Sequence, residues 1–159
     1  MKKRIKIICG FLLIIVMALG FVLNKCTNTS HYEKSKEEAT HFLAKNEADL
    51  KDIFEDLMSK EQNDSGKYKG KFYIYYKTDS TEYVKLDIDA RGMLGGQYWG
   101  IIYCPNNNLI RNNSSVEIYD ESKNGTGNNI FIKEKIKDNW YFYYDDYDGK
   151  VDITKIYID

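Results

Sequence analysis

Proline is nearly missing from this 159-residue chain: Pro105 stands alone. A proline-stiffened linker is therefore excluded. Cysteine is scarce, with only Cys9, Cys26 and Cys104, so no dense disulfide framework holds the fold. Histidine is scarcer, with His31 and His41 alone. Ten residues apart on one helix, they stand roughly 15 Å from each other and cannot share a metal ion. His31 is expected at the surface and His41, beside Phe42, partly buried. Cys104 has no recognisable histidine partner. The glycine-rich segment RGMLGGQYWG (91–100) lacks the GK[ST] ending of a phosphate loop; its Gly92, Gly95 and Gly96 read as hairpin and bulge residues. Catalysis needs a nucleophile with a base and an orienting group, or a metal shell. The expectation is a protein that is not an enzyme and takes no cofactor.

Basic charge is confined to one end. Residues 1–25 hold Lys2, Lys3, Arg4, Lys6 and Lys25 and no acid, which leaves 18 basic against 24 acidic residues from position 26 onward, a net charge of −6. Nucleic acid is excluded as a partner, because phosphate backbones are gripped by Lys and Arg clustered on one face.

Between the basic start and Asn24 runs IICGFLLIIVMALGFVL, Ile7 to Leu23, 17 residues without a charge. At about 1.5 Å each they reach roughly 26 Å, near the lower limit for spanning a bilayer. The lysine-rich start stays in the cytoplasm by the positive-inside rule. This predicts a cell-membrane protein with a cytoplasmic tail and single-pass anchor over 1–25 and an extracytoplasmic domain over 26–159. A signal peptide cut after Gly20, in the A-x-G pattern of Ala18 and Gly20, is the alternative; it would release a secreted inhibitor or immunity-type protein. The apolar run continues past that site and is longer than a typical signal core, which favours the anchor. Cys26 follows Leu23, Asn24 and Lys25, not the small residues that precede a lipidated cysteine. Cys26 and Cys104 could pair, but two free thiols are the simpler reading.

Residues 27–60 read as one helix, capped by Ser30 with Glu33 three positions on. Ala39, Phe42, Leu43, Leu50, Ile53, Phe54, Leu57 and Met58 share one face, interrupted only by Asn46. That stripe is too broad for a dimeric coiled coil and suits a helix lying on a sheet. QNDSGKYKG (62–70) breaks the period, and alternation by two follows. Strands are predicted at KFYIYYK, TEYVKLDIDA, QYWGIIYC, VEIYD, IFIKEKI, WYFYYDDY and, closing the chain, VDITKIYI. One helix followed by six or seven antiparallel strands is an α+β domain. A curved sheet wrapping the helix, cystatin-like by analogy, is the expected arrangement.

DNWYFYYDDYDGKVD (138–152) packs six aromatic rings and five carboxylates into fifteen residues. As an EF-hand loop anchored on Gly149 it fails at both ends, with Tyr144 first and Lys155 twelfth. Asp148-Gly149 favours a type I′ turn, so the stretch reads as a terminal hairpin. Tyrosine is the remaining resource, with 14 in the chain. Tyr73, Tyr75, Tyr83, Tyr98, Tyr141 and Tyr143 are expected to point away from the helix, forming a partner-binding face for protein, peptide or glycan.

GMLGGQYWGIIY (92–103) and IKDNWYFYYD (136–145) resemble blocks in uncharacterised small membrane-anchored or secreted proteins of low-GC Gram-positive bacteria. The resemblance implies an exported bacterial setting and carries over no activity and no site residue.

Overall fold

A helix from Lys2 to Met58 (α1) runs into a seven-stranded antiparallel sheet. The strands are β1 (Ser65–Tyr68), β2 (Lys71–Lys77), β3 (Glu82–Arg91), β4 (Gln97–Tyr103), β5 (Val116–Asp120), β6 (Ile130–Lys137) and β7 (Trp140–Asp146). Their order is β1-β2-β3-β4-β7-β6-β5, so the aromatic strand β7 is central, between β4 and β6. The computed structural model describes residues 2–59, 64–78, 80–91, 96–110, 114–125 and 127–156, with the side chains of 2–13 and 18–29 outside that description.

The α+β architecture, one long helix packed on an antiparallel sheet, is as the sequence pattern predicts. The buried stripe of α1 is Tyr32, Ser35, Ala39, Leu43, Asn46, Leu50, Phe54 and Leu57, spaced by threes and fours. Asn46 is tolerated there because its amide donates to the Phe42 carbonyl at 2.7 Å and accepts from the Tyr68 hydroxyl at 3.2 Å. Tyr32 meets Phe142 and Tyr144 edge-on and donates to Glu134 on β6 at 2.8 Å. Phe54, six turns on, packs against Tyr73 of β2 and against Tyr103 and Trp140. The helix thus crosses the sheet diagonally.

Four expectations are corrected. The helix does not begin at Ser30; it is continuous from Lys2, since no proline or glycine stands between Leu23 and Ser30 to end it. The segment 62–70 contains β1, joined to β2 by Lys69-Gly70, both at positive φ (49° and 80°) as a two-residue type I′ hairpin requires. The closing segment VDITKIYI is no strand in its described part: Val151 and Ile156 are buried, and a 3₁₀ turn occupies Ile153–Lys155. The partner of β7 is instead β6, through the Asp138-Asn139 turn with Asn139 at φ 68°. Last, Tyr73 and Tyr75 face the helix, and Tyr75 is fully buried in the main core.

The anchor expected over 7–23 lies outside the described side chains except for Ile14, Ile15, Val16 and Met17, which are 53–61% exposed. Among the described residues no helix is long and apolar enough to cross a membrane. Gly92 and Gly95 and the side chains of Cys9 and Cys26 also lie outside the described residues; Cys104 is a free, buried thiol.

Candidate binding face

Strand alternation sends one set of side chains to the helix and the other to the far face. The far face carries Tyr76 on β2, Tyr83, Lys85 and Asp87 on β3, and Tyr98 and Ile102 on β4, with Tyr141, Tyr143 and Asp145 on β7 and Phe131 and Lys133 on β6. No second helix covers it among the described residues. The loop after β4 folds over part of it instead, and Cys104 and Leu109 join Ile102, Tyr141 and Tyr143 in a small second core. Tyr141 donates to Asn107 of this loop at 2.7 Å, and Lys133 donates to the Leu109 carbonyl at 3.2 Å.

Of the six tyrosines predicted to share a face, four do. Tyr83 and Tyr98 are half-buried, with Tyr98 edge-on to Tyr147 at 5.7 Å. Tyr141 and Tyr143 lie on this face but are 1% and 0% exposed, so they form its floor. Tyr73 and Tyr75 belong to the opposite side.

A cavity of about 330 Å³ opens beside the covering loop. Tyr83, Phe131 and Ile102 give it apolar walls; Thr78, Thr81 and Asn108 line it with hydroxyl and amide groups; Lys85, Lys133 and Glu117 supply charge. Tyr83 is stacked on Tyr76 at 5.0 Å and Phe131 on Tyr143 at 6.1 Å, so each wall ring is braced from behind. The sequence reading missed Phe131, Lys85, Lys133 and the loop residues. Phe131 was within reach of the alternation, since Ile130 and Ile132 face inward; the return of the loop over Ile102 has no local sequence signal.

The charges here are matched. Lys133 pairs with Glu117. Lys85 lies 3.5 Å from Asp87 and 4.3 Å from the centre of the Tyr143 ring. Tyr143 donates to Asp87, and burial, with the Asp87 carboxylate next, holds its hydroxyl well above the ordinary phenol range. Burial also raises Tyr83 and Asp145. Asp145 has one buried oxygen, Oδ1, with no hydrogen-bond partner.

Elsewhere, groups capable of chemistry do not converge. Burial depresses the His31 pKa, assisted by Arg91 and Lys34; the ring is half-buried against Trp99 at 4.9 Å, and Nδ1 lies 3.2 Å from both the Tyr144 hydroxyl and Ser35 Oγ. Ser35 donates to the His31 carbonyl at 2.8 Å, the back-bond of a helical serine. His41 is exposed on the outer face of α1. The two histidines therefore exchange the environments expected of them. The Cys104 thiol is raised by burial and donates to Asn108 at 3.2 Å. Among the described residues no three His, Cys, Asp or Glu side chains form a metal-binding group. A furrow along the outer face of α1, from Ser30 to Ala44, is lined by that helix alone.

No family model, no curated protein and no solved structure matches this chain.

Proposed function

We propose that the chain is a single-pass membrane-anchored protein whose extracytoplasmic domain is a non-enzymatic binding module. Its ligand, a protein, peptide or glycan, is held on the face of the sheet opposite the helix. The observation that carries this reading is the cavity of about 330 Å³ framed by Tyr83 and Phe131, a volume in the range of small-ligand sites. Residues with catalytic potential support binding over chemistry: His31 is half-buried under α1, His41 is exposed on that helix's outer face, and the Cys104 thiol is buried with its pKa raised. The exposed helical residues Ile14 to Met17 support the anchor, since lipid would cover what no protein covers. In this reading the sheet curves about the helix in a cystatin-like way, which the diagonal crossing supports.

A photoactivatable phenylalanine analogue at Tyr83, compared on intact cells with the same group at Lys45 on the outer face of α1, tests the reading. Position 83 should give adducts and position 45 should not. Equal labelling from both positions, or none from either, would remove the far face as the contact surface.

A further inference from the structure

We infer that the cavity on the far face takes a neutral oligosaccharide, an inference that rests on the binding face proposed above. The first argument is charge. Both ammonium groups in the lining already have anionic partners, Lys133 with Glu117 and Lys85 with Asp87. Lys133 spends a further N–H on the Leu109 carbonyl. Neither sign is left in excess to attract an ion. A charged ligand would have to compete with one of these partly exposed pairs for its ammonium or carboxylate.

The second argument is backbone geometry. The strands that line the cavity are β3, β4, β5 and β6, and all but β5 are paired on both sides. An extended peptide gains most of its affinity by adding a strand to a free edge, and of the strands lining this site only β5 has one, contributing Glu117 alone. A peptide would be left with unpaired amides over a face that cannot receive them.

The third argument is the chemistry that remains. Tyr83 and Phe131 stand on β3 and β6, three strand steps apart across the sheet and offset along it, since Phe131 is level with Tyr98 through Asp145 whereas Val84, next to Tyr83, is level with Tyr103. The lining is completed on its apolar side by Ile102 and by Leu109 of the covering loop. Hydroxyl and amide groups of Thr78, Thr81 and Asn108 line one end. Rigid rings braced from behind, alternating with uncharged donors and acceptors, match a ligand that has both apolar C–H faces and hydroxyl edges. A chain of sugar rings is such a ligand; its C–H faces lie on the aromatic walls and its hydroxyls meet Asn108 and the threonines. Because the braced rings lose little freedom on binding, the contact is not offset by ordering them.

Calorimetric titration of the full chain, in a detergent whose headgroup is not a sugar, tests this with four probes: chitotetraose, cellotetraose, oligogalacturonate and a doubly blocked tetra-alanine. At least one neutral saccharide should bind, with affinity nearly constant from about 50 to about 500 mM salt. Tyr83→Ala should weaken it at least about tenfold. Asn108→Ala, on an exposed residue of the loop, should weaken it several-fold in a protein that still melts cooperatively. Preference for oligogalacturonate with steep salt dependence, or for the peptide, would overturn the saccharide inference and leave the binding face standing. No binding by any probe, or saccharide binding that survives Tyr83→Ala in a folded protein, would also overturn it. Failure of the Tyr83 photolabelling as well would bring down the binding face with it.

Discussion

Gly100 on β4 lies opposite Tyr143 on β7, and it has no side chain because there is no room for one. A Cβ there would come within 1.9 Å of the Leu86 carbonyl oxygen and 2.8 Å of the Tyr143 ring. The aromatic ring fills the space over the glycine, and a tyrosine expected to project into solvent is instead fully buried on the far face. Two aspartates at the end of the same strand show how environment separates identical side chains. Asp145 and Asp146 are both buried, at 7% and 0% exposure. Asp146 accepts from the backbone N–H groups of Lys150 and Val151 at 2.7 Å each and of Asp148 at 3.3 Å, so its carboxylate ties down the turn after β7. Asp145 has an orphan oxygen and a pKa raised by burial. Asp146→Ala should therefore destabilise the fold by about 3 kcal/mol, leaving buried N–H groups unpaired. Asp145→Asn should stabilise it by about 1 kcal/mol. A group with a raised folded pKa binds its proton more readily folded than unfolded, so the penalty is complete at neutral pH and is relieved as pH falls through the folded value. Denaturant titrations should show the advantage of Asp145→Asn at pH 7 shrinking on acidification. An advantage that grows on acidification would refute the assignment.

At the scale of elements, alternation decides orientation only when one face is clearly polar. In β3, Val84, Leu86 and Ile88 alternate with Tyr83, Lys85 and Asp87, and the strand's facing can be read directly. In β2, KFYIYYK carries apolar residues at odd and even positions alike, so period two fixes the pleat and leaves the choice of face open. The helix settles it: Phe54 takes Tyr73 as a partner, and Phe72 is left 56% exposed. Similarly, the apolar stripe of α1 is legible because Ala39, Leu43, Leu50 and Leu57 repeat at helical spacing, but its start is not. A serine three residues before a glutamate marks a cap only where the chain before it leaves the helix. Turns are legible in part. Asp148-Gly149 is a turn as expected, although only Gly149 has positive φ (59°), which is not type I′. Lys69-Gly70, without the usual Asn or Asp, is the type I′ pair. These two glycines should respond differently. A Cβ at Gly70 meets nothing within 4 Å, so Gly70→Ala should cost about 1 kcal/mol for positive φ alone. At Gly149 a Cβ would stand 2.2 Å from the Asn128 carbonyl oxygen, and alanine there should cost at least about twice as much. Equal melting temperatures for the two variants would mean that the contact between the β7 turn and Asn128 is not maintained in solution.

For the whole molecule, the physical fact of most consequence is that one uninterrupted helix carries both the apolar leader and the stripe that packs on the sheet. Tyr32, the start of that stripe, is nine positions after Leu23, or about 14 Å at 1.5 Å per residue. With the leader inserted, the domain is held close to the bilayer in one orientation, its net charge of −6 outside and the lysine-rich start inside. Contacts along the helix say which end of the sheet is nearer the apolar segment. His31 and Tyr32 meet Tyr144 at the end of β7, while Phe54 meets Trp140 at its start. In the anchored reading proposed above, the turn at Tyr147 would be membrane-proximal and the Asp138-Asn139 turn distal. A reporter fused at the C-terminus should be active only outside the cytosol. After replacement of Cys9 and Cys26 by serine, the buried Cys104 should resist labelling, so single cysteines placed at Tyr147 and Asp138 can be labelled selectively with a fluorophore. Lipid-bound quenchers should dim the label at 147 more than the label at 138. Equal quenching would mean that the helix bends between leader and sheet. Cytosolic reporter activity, or a mature protein whose mass begins after Gly20, would mean that no anchor is retained and that the far face is not presented at the membrane.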